Sequence, residues 1–244
     1  MKLDPVELQQ LAAVQPPRMD MYAGIHKALR AFMADTLLAV GRMDVTQEDS
    51  LGRATAQVVE LLDFCTSHLR HENDFVHAAM EARAPGASGA IAHEHDEHLA
   101  HIAGLRSTAE ALAGESIPVR MAAAAQLYRE LGRFVAHNFE HMHVEETAHN
   151  AVLWAHYTDA ELGAIHDALV GSIPPAEMMV VACWMLPAMN PAERAAVLAD
   201  MRGKAPAPAF EAVLATVRPH LSEVEWSCLA CDLGLPAVPA RVTA

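Results

Sequence analysis

From Met19 to about Gly41 apolar side chains recur at intervals of three and four: Met21, Ile25, Ala28, Leu29, Phe32, Met33 and Leu37, with Thr36 on the same stripe. This spacing predicts one amphipathic helix, because positions three and four apart share a face of a coil with 3.6 residues per turn. A second helix is expected from about Ser50 or Leu51 to about Arg83, where the turn residues APGASG at 84–89 end it. A third runs from about Ala90 to Ala113 and stops at GESIP, 114–118. Pro118 suits the first turn of a fourth, which continues towards His156. No run alternates apolar and polar residues between turns, so strands are not expected. The prediction is an all-α chain whose residues 19–157 form an up-down-up-down four-helix bundle.

After residue 158 the pattern shortens. Thr158 with Glu161, Asn190 with Glu193 and Ser222 with Glu225 are helix-start signatures, and SIPP, LPAMNP, KAPAPA and LGLP separate the segments. Residues 158–244 therefore read as a C-terminal helical extension. Its Met178, Met179, Trp184, Met185, Met189, Met201 and Trp226 are expected to pack on the bundle.

Charge narrows the partners. Seventeen Lys and Arg against 31 Asp and Glu give a net charge of −14, which repels phosphate backbones and anionic lipid, so neither nucleic acid nor membrane is expected. The longest apolar run, at 178–189, is too short for a bilayer and carries Pro187. Four cysteines without a disulfide framework, and a polar start MKLDPVELQQ with no apolar export segment, point to a reducing cytoplasm. The Cys228–Cys231 pair is expected to be helical packing, and Cys65, three residues before His68, is a candidate oxidation-sensing thiol.

Histidine stands out: there are 15, eleven of them between His68 and His149. In SHLRHEND His68 precedes Glu72 by four residues, and in EHMHVEET His141 precedes Glu145 by four, so each pair shares a helix face one turn apart. His26 lies 42 residues before His68, and His95 lies 46 before His141. Two helical hairpins thus repeat one plan, a histidine on the first helix and His-x-x-x-Glu on the second. The bundle axis would gather His26, His68, Glu72, His95, His141 and Glu145. Buried carboxylates are costly without a cation, so a metal gives the set its reason. Nitrogen and carboxylate donors without thiolate suit iron, manganese or zinc, and two carboxylates on facing helices suit bridging a pair of ions.

The segments IHKALR around His26, HLRHEN at 68–73, HEHDEH at 93–98 and HMHVEE at 141–146 make residues 19–157 resemble the hemerythrin-like (HHE cation-binding) family. The resemblance implies a four-helix bundle with a non-haem di-iron centre on those six residues, the glutamates bridging. The pattern is closer to the iron-sulfur cluster repair relatives than to the oxygen carriers. The carriers place a fifth histidine one turn after the third-helix ligand, where this chain has Leu99. That difference is expected to leave one metal more open, with His98 able to substitute only through a shifted rotamer. Glu146 competes with Glu145 as a ligand, but the matching place after Glu72 is Asn73, which favours Glu145. His137 is expected to pack, to donate to a ligand from outside, or to bind metal, in that order. Tyr22 either packs or donates a hydrogen bond to a bound group. His71, His77, His143 and His149 fall off the ligand stripe.

These readings predict a monomer or homodimer that binds or senses O2, NO or peroxide at two iron ions. The alternatives are a di-iron oxidase or oxygenase acting on a small organic substrate, marked by an apolar cavity beside the metals and excluded by a solid bundle end at Leu99, or an iron donor for iron-sulfur cluster repair.

Overall fold

Helix α1, Ala23–Gly41, buries His26, Ala28, Leu29, Phe32, Met33, Thr36 and Val40, the stripe its periodicity predicts. Asp20 starts it by accepting the backbone N–H groups of Tyr22 and Ala23 at 2.9 and 3.0 Å. Helix α2, Glu48–His71, passes through a π-helical turn at Glu72–His77 into α3, Ala78–Arg83. The chain then reverses at Gly86, whose φ of 86° falls in the left-handed region that glycine adopts without strain. Helix α4 is Gly89–Ala111, and α5, Ile117–Val144, runs through a second π-helical turn, Glu145–His149, into α6, Asn150–His156. These are the coordinates of a computed structural model, which describes residues 18–235; the polar start at residues 1–10 lies outside them.

The long helices close a ring, with α1 packed on α2 and α5, and α4 packed on the same two. Their shared core includes Phe32, Leu61, Leu62, Leu105, Leu131 and Phe134. A smaller cluster of Tyr22, Val76, Met80, Leu153 and Leu162 closes the other end. Between the two clusters lies one layer of buried polar residues. At the far end Arg120 is buried and bonds Glu48 and the carbonyl of Ala113, each at 2.6 Å, joining the start of α2 to the end of α4.

The extension contains α7 (Asp159–Ser172), α8 (Pro175–Ala188), α9 (Pro191–Lys204), α10 (Ala207–Val217) and α11 (Glu223–Asp232). Thr158, Asn190 and Ser222 cap α7, α9 and α11 in reciprocal capping boxes. Helix α8 lies along α1, where Trp184 stacks on Phe32 with ring centres 4.1 Å apart. The Met and Trp side chains divide their roles. Trp184 and Met185 reach the bundle core, whereas Met189, Met201 and Trp226 belong to a second core with Leu198, Phe210 and Val217. Arg194, 2% exposed, ties α9 to α8 by donating to the carbonyls of Leu186, Pro187 and Met189 at the helix end.

The cysteines differ from expectation. Cys228 and Cys231 are exposed, not packed. Cys65 is buried in the bundle core, where burial pushes its thiol pKa well up and keeps it protonated, which removes the basis for an oxidation sensor. Among the described residues no single helix is long and apolar enough to cross a membrane.

Candidate metal centre

The polar layer between the two apolar clusters holds all six residues that the repeat selects. His26 comes from α1, His68 from α2, His95 from α4 and His141 from α5, while Glu72 and Glu145 are the first residues of the two π-helical turns. His26, His95, His141, Glu72 and Glu145 are each at most 3% exposed.

Their inward atoms fall into two groups. Nε2 of His26 lies 3.6 Å from Glu72 Oε1 and 3.4 Å from Glu145 Oε2, and Nε2 of His68 lies 3.1 Å from Glu72 Oε1. On the other side Nε2 of His95 lies 3.6 Å from Glu72 Oε2 and 3.7 Å from Glu145 Oε1, which is 3.3 Å from Nε2 of His141. Each carboxylate thus turns one oxygen to each group. His26, His68, Glu72 and Glu145 could hold one cation, and Glu72, His95, His141 and Glu145 another, the donor atoms of each group lying within 4.8 Å of one another.

The outer ring nitrogens fix the inner ones. Nδ1 of His26 donates to Glu146 at 3.0 Å, Nδ1 of His95 to the amide oxygen of Asn73 at 2.9 Å, and Nδ1 of His141 to Glu94 at 2.8 Å. These partners only accept, so each Nδ1 carries a proton and Nε2 is the nitrogen turned inward, where it would face a cation. Glu146, weighed as a rival to Glu145, instead orients His26. Asn73 does the same for His95 from the matching place in the other hairpin.

The cluster is electrostatically incomplete. Nε2 of His26 and His68 and all four oxygens of Glu72 and Glu145 are buried without a hydrogen-bond partner. Burial, reinforced by Glu145, raises the pKa of Glu72. Burial also opposes charge on Glu145, yet the imidazoles of His141 and His95, whose Nε2 atoms lie 3.3 and 3.7 Å from its Oε1, hold it below the usual carboxylate range. Burial works against protonation of His26 and His141 as well. Glu146 with Glu72 at His26, and Glu145 with Glu94 at His141, outweigh it and raise both pKa values to about 9. Without a cation, second protons on these imidazoles supply some of the positive charge that the carboxylates demand; a bound cation would take their place.

Two histidines off the predicted stripe also enter. His77 and His149 are 5% and 3% exposed, and with Glu145 they bring donor atoms within 4.8 Å of one another. An α-helical wheel misplaces them because the π-helical turns after Glu72 and Glu145 add backbone per turn and rotate the following residues. Tyr22 meets Nδ1 of His149 at 3.2 Å. His98 is buried beside His141, ring centres 4.8 Å apart, outside the three donor groups, and His137 is exposed. Burial and neighbouring imidazoles depress His77 and His98 to about 4, so both are neutral.

Leu99 does not open the site, since it is 39% exposed on the outer side of α4. His77, His98 and His149 crowd His95 and His141 instead. The opening is at the other group, where His68 and Glu72 border a cavity of about 860 Å³ between the bundle and α7–α9.

The hemerythrin HHE cation binding domain matches residues 19–149. Comparison with curated proteins and with solved structures returns no match. The match spans more than half of the chain, including all six residues of the two groups, and the chain belongs to the hemerythrin HHE cation-binding domain family.

Proposed function

We propose that the chain is a non-haem di-iron protein that binds or senses a small diatomic molecule or peroxide. The observation that carries this reading is the buried, unpartnered donor set, two groups of two imidazoles sharing both carboxylates. The set contains no thiolate, which suits iron and also admits manganese or zinc. His26, His68, His95 and His141 would supply one nitrogen each, and Glu72 and Glu145 would bridge. Four protein donors per ion leave coordination positions for an exogenous molecule. Bound iron would supply the redox chemistry. The protein's part is to hold Nδ1 against Glu146, Asn73 and Glu94 so that Nε2 is the nitrogen turned to the metal, and to exclude water with the apolar clusters on either side.

Metal analysis with optical spectroscopy tests this reading. About two irons per chain are expected, with charge-transfer bands that shift on adding azide. Stoichiometric zinc without iron after anaerobic expression would remove the redox role. A second reading, oxidation of an organic substrate, is favoured by the apolar cavity at His68 and Glu72.

A further inference from the structure

The two hairpins are unequal outside the shared carboxylates. Glu94 orients His141, but the corresponding place for His68, 69 residues earlier, is Ile25, which lines the cavity. The His95–His141 group is crowded by imidazoles, whereas the His26–His68 group faces hydrocarbon.

We propose that this cavity is a binding site for an uncharged, apolar organic molecule, one end of which lies against His68 and Glu72. Its volume of about 860 Å³ falls in the range of small-molecule sites, roughly 300–1,000 Å³. Its walls come from α1, α2 and α7–α10, and they include Met19, Met21, Met178, Met185, Met189 and Met201. Thioether chains are unbranched and polarisable, so such a wall fits an elongated or irregular apolar ligand without a rigid template. Gly24 leaves room for them, since a Cβ there would come within 3.1 Å of the Met189 methyl group.

The charged groups on the lining determine what is refused. Asp20, Asp167, Glu177, Glu193 and Asp200 stand beside two lysines, Lys27 and Lys204. Lys27 pairs with Glu193, and Lys204 pairs with Asp167 and Asp200 at 2.8 and 3.1 Å. Asp20 caps α1, and Glu177 accepts from Ser67. Among the described residues no cation on the wall is left for a carboxylate or phosphate, and the acid excess repels both. The unsatisfied polar atoms are at the buried end, Nε2 of His68 and Oε1 of Glu72, so the molecule's reactive or polar end belongs there.

The placement of that end rests on the metal-centre reading; binding of an apolar molecule does not. The test titrates the full chain with N-phenyl-1-naphthylamine, an uncharged fluorescent probe, before and after iron loading, with metal content measured separately. Saturable equimolar binding is expected in both forms. A long-chain primary alcohol should displace the probe at roughly tenfold lower concentration than the carboxylate of equal length at pH 8. Ala196→Trp and Val170→Trp, which fill the cavity from exposed wall positions on α9 and α7, should each weaken the probe at least about tenfold while leaving helicity and metal content unchanged. Absence of saturable binding in a protein that takes up iron, binding untouched by both tryptophans, or preference for the carboxylate would each overturn the proposal. Probe binding that the tryptophans abolish supports the site even in a protein that takes up no metal, a result that would count against the metal centre alone.

Discussion

Glu146 accepts a hydrogen bond from Nδ1 of His26 at 3.0 Å, across the bundle from its own helix, while Arg30 grips both of its oxygens at 2.6 and 3.1 Å. His26 and Arg30 are one turn apart on α1, so a single carboxylate aligns the imidazole and is itself held in place. These contacts pull the Glu146 pKa down to about 2, which keeps it an acceptor throughout the physiological range.

Glu146→Ala should therefore lower metal affinity by about 10–100-fold, because His26 loses both its orientation and its tautomer bias. Glu146→Gln keeps an acceptor oxygen and should lose less. Competition with a chromophoric chelator measures both, and an alanine variant equal to wild type would show that Glu146 has no orienting role.

Glu72→Gln separates folding from metal binding. Burial beside Glu145 disfavours the Glu72 carboxylate, so the neutral isostere should stabilise the chelator-treated protein by on the order of 1 kcal/mol. The same change should cut metal content from about two ions per chain to about one or none. Thermal melts with and without chelator, paired with metal analysis, read both effects, and a metal-free variant less stable than wild type would contradict the argument.

Metal removal from the wild type should lower its melting temperature by roughly 5–10 °C, since ions held only by the folded chain contribute about 2.7 kcal/mol at a free concentration 100 times Kd. Differential scanning calorimetry before and after chelation checks this. Identical melts would mean that the cluster holds no ion under those conditions.

The junction between bundle and extension should be acid-sensitive. Glu161 pairs with Arg83 at 2.5 Å and caps α7 with Thr158, and these contacts lower its pKa from 4.5 to about 2. The folded value lies below the ordinary one, so the stabilisation is complete above about pH 4.5 and is lost as pH falls towards 2. The melting-temperature gap between wild type and Glu161→Gln should close over that window. A gap that persists at pH 2 would assign the effect to something other than the charge of Glu161.

Trp184→Ala should loosen the extension from α1, because the indole is stacked on Phe32 with ring planes 11° apart. A loss of about 2–4 kcal/mol is expected, with faster proteolysis between α7 and α8. Unchanged cleavage would indicate that other contacts hold α8 in place.

The helices and the six clustered residues were legible because both rest on α-helical periodicity. His68 and Glu72, like His141 and Glu145, lie within or at the end of regular helix, where a four-residue step is a reliable measure of direction. His77 and His149 were not legible, because that measure stops at Glu72 and Glu145, where the turns widen. The outward aim of Leu99 and the place of the opening also escaped sequence reasoning. A position one turn along a helix does not reveal that α7–α9 leave a cavity against a different helix. Asn73 and Glu146 had a readable signal, their matched places in the two hairpins, although the pattern alone did not show that they reach across to His95 and His26.

The sharing of Glu72 and Glu145 has a consequence for how the centre fills. An ion on one side would hold both carboxylates in a fixed orientation with their second oxygens aimed at the other side, so a second ion would meet donors already in place. Loading should then be cooperative, with half-filled molecules scarce at every metal concentration, and the bundle would pass between empty and paired states with little population between them.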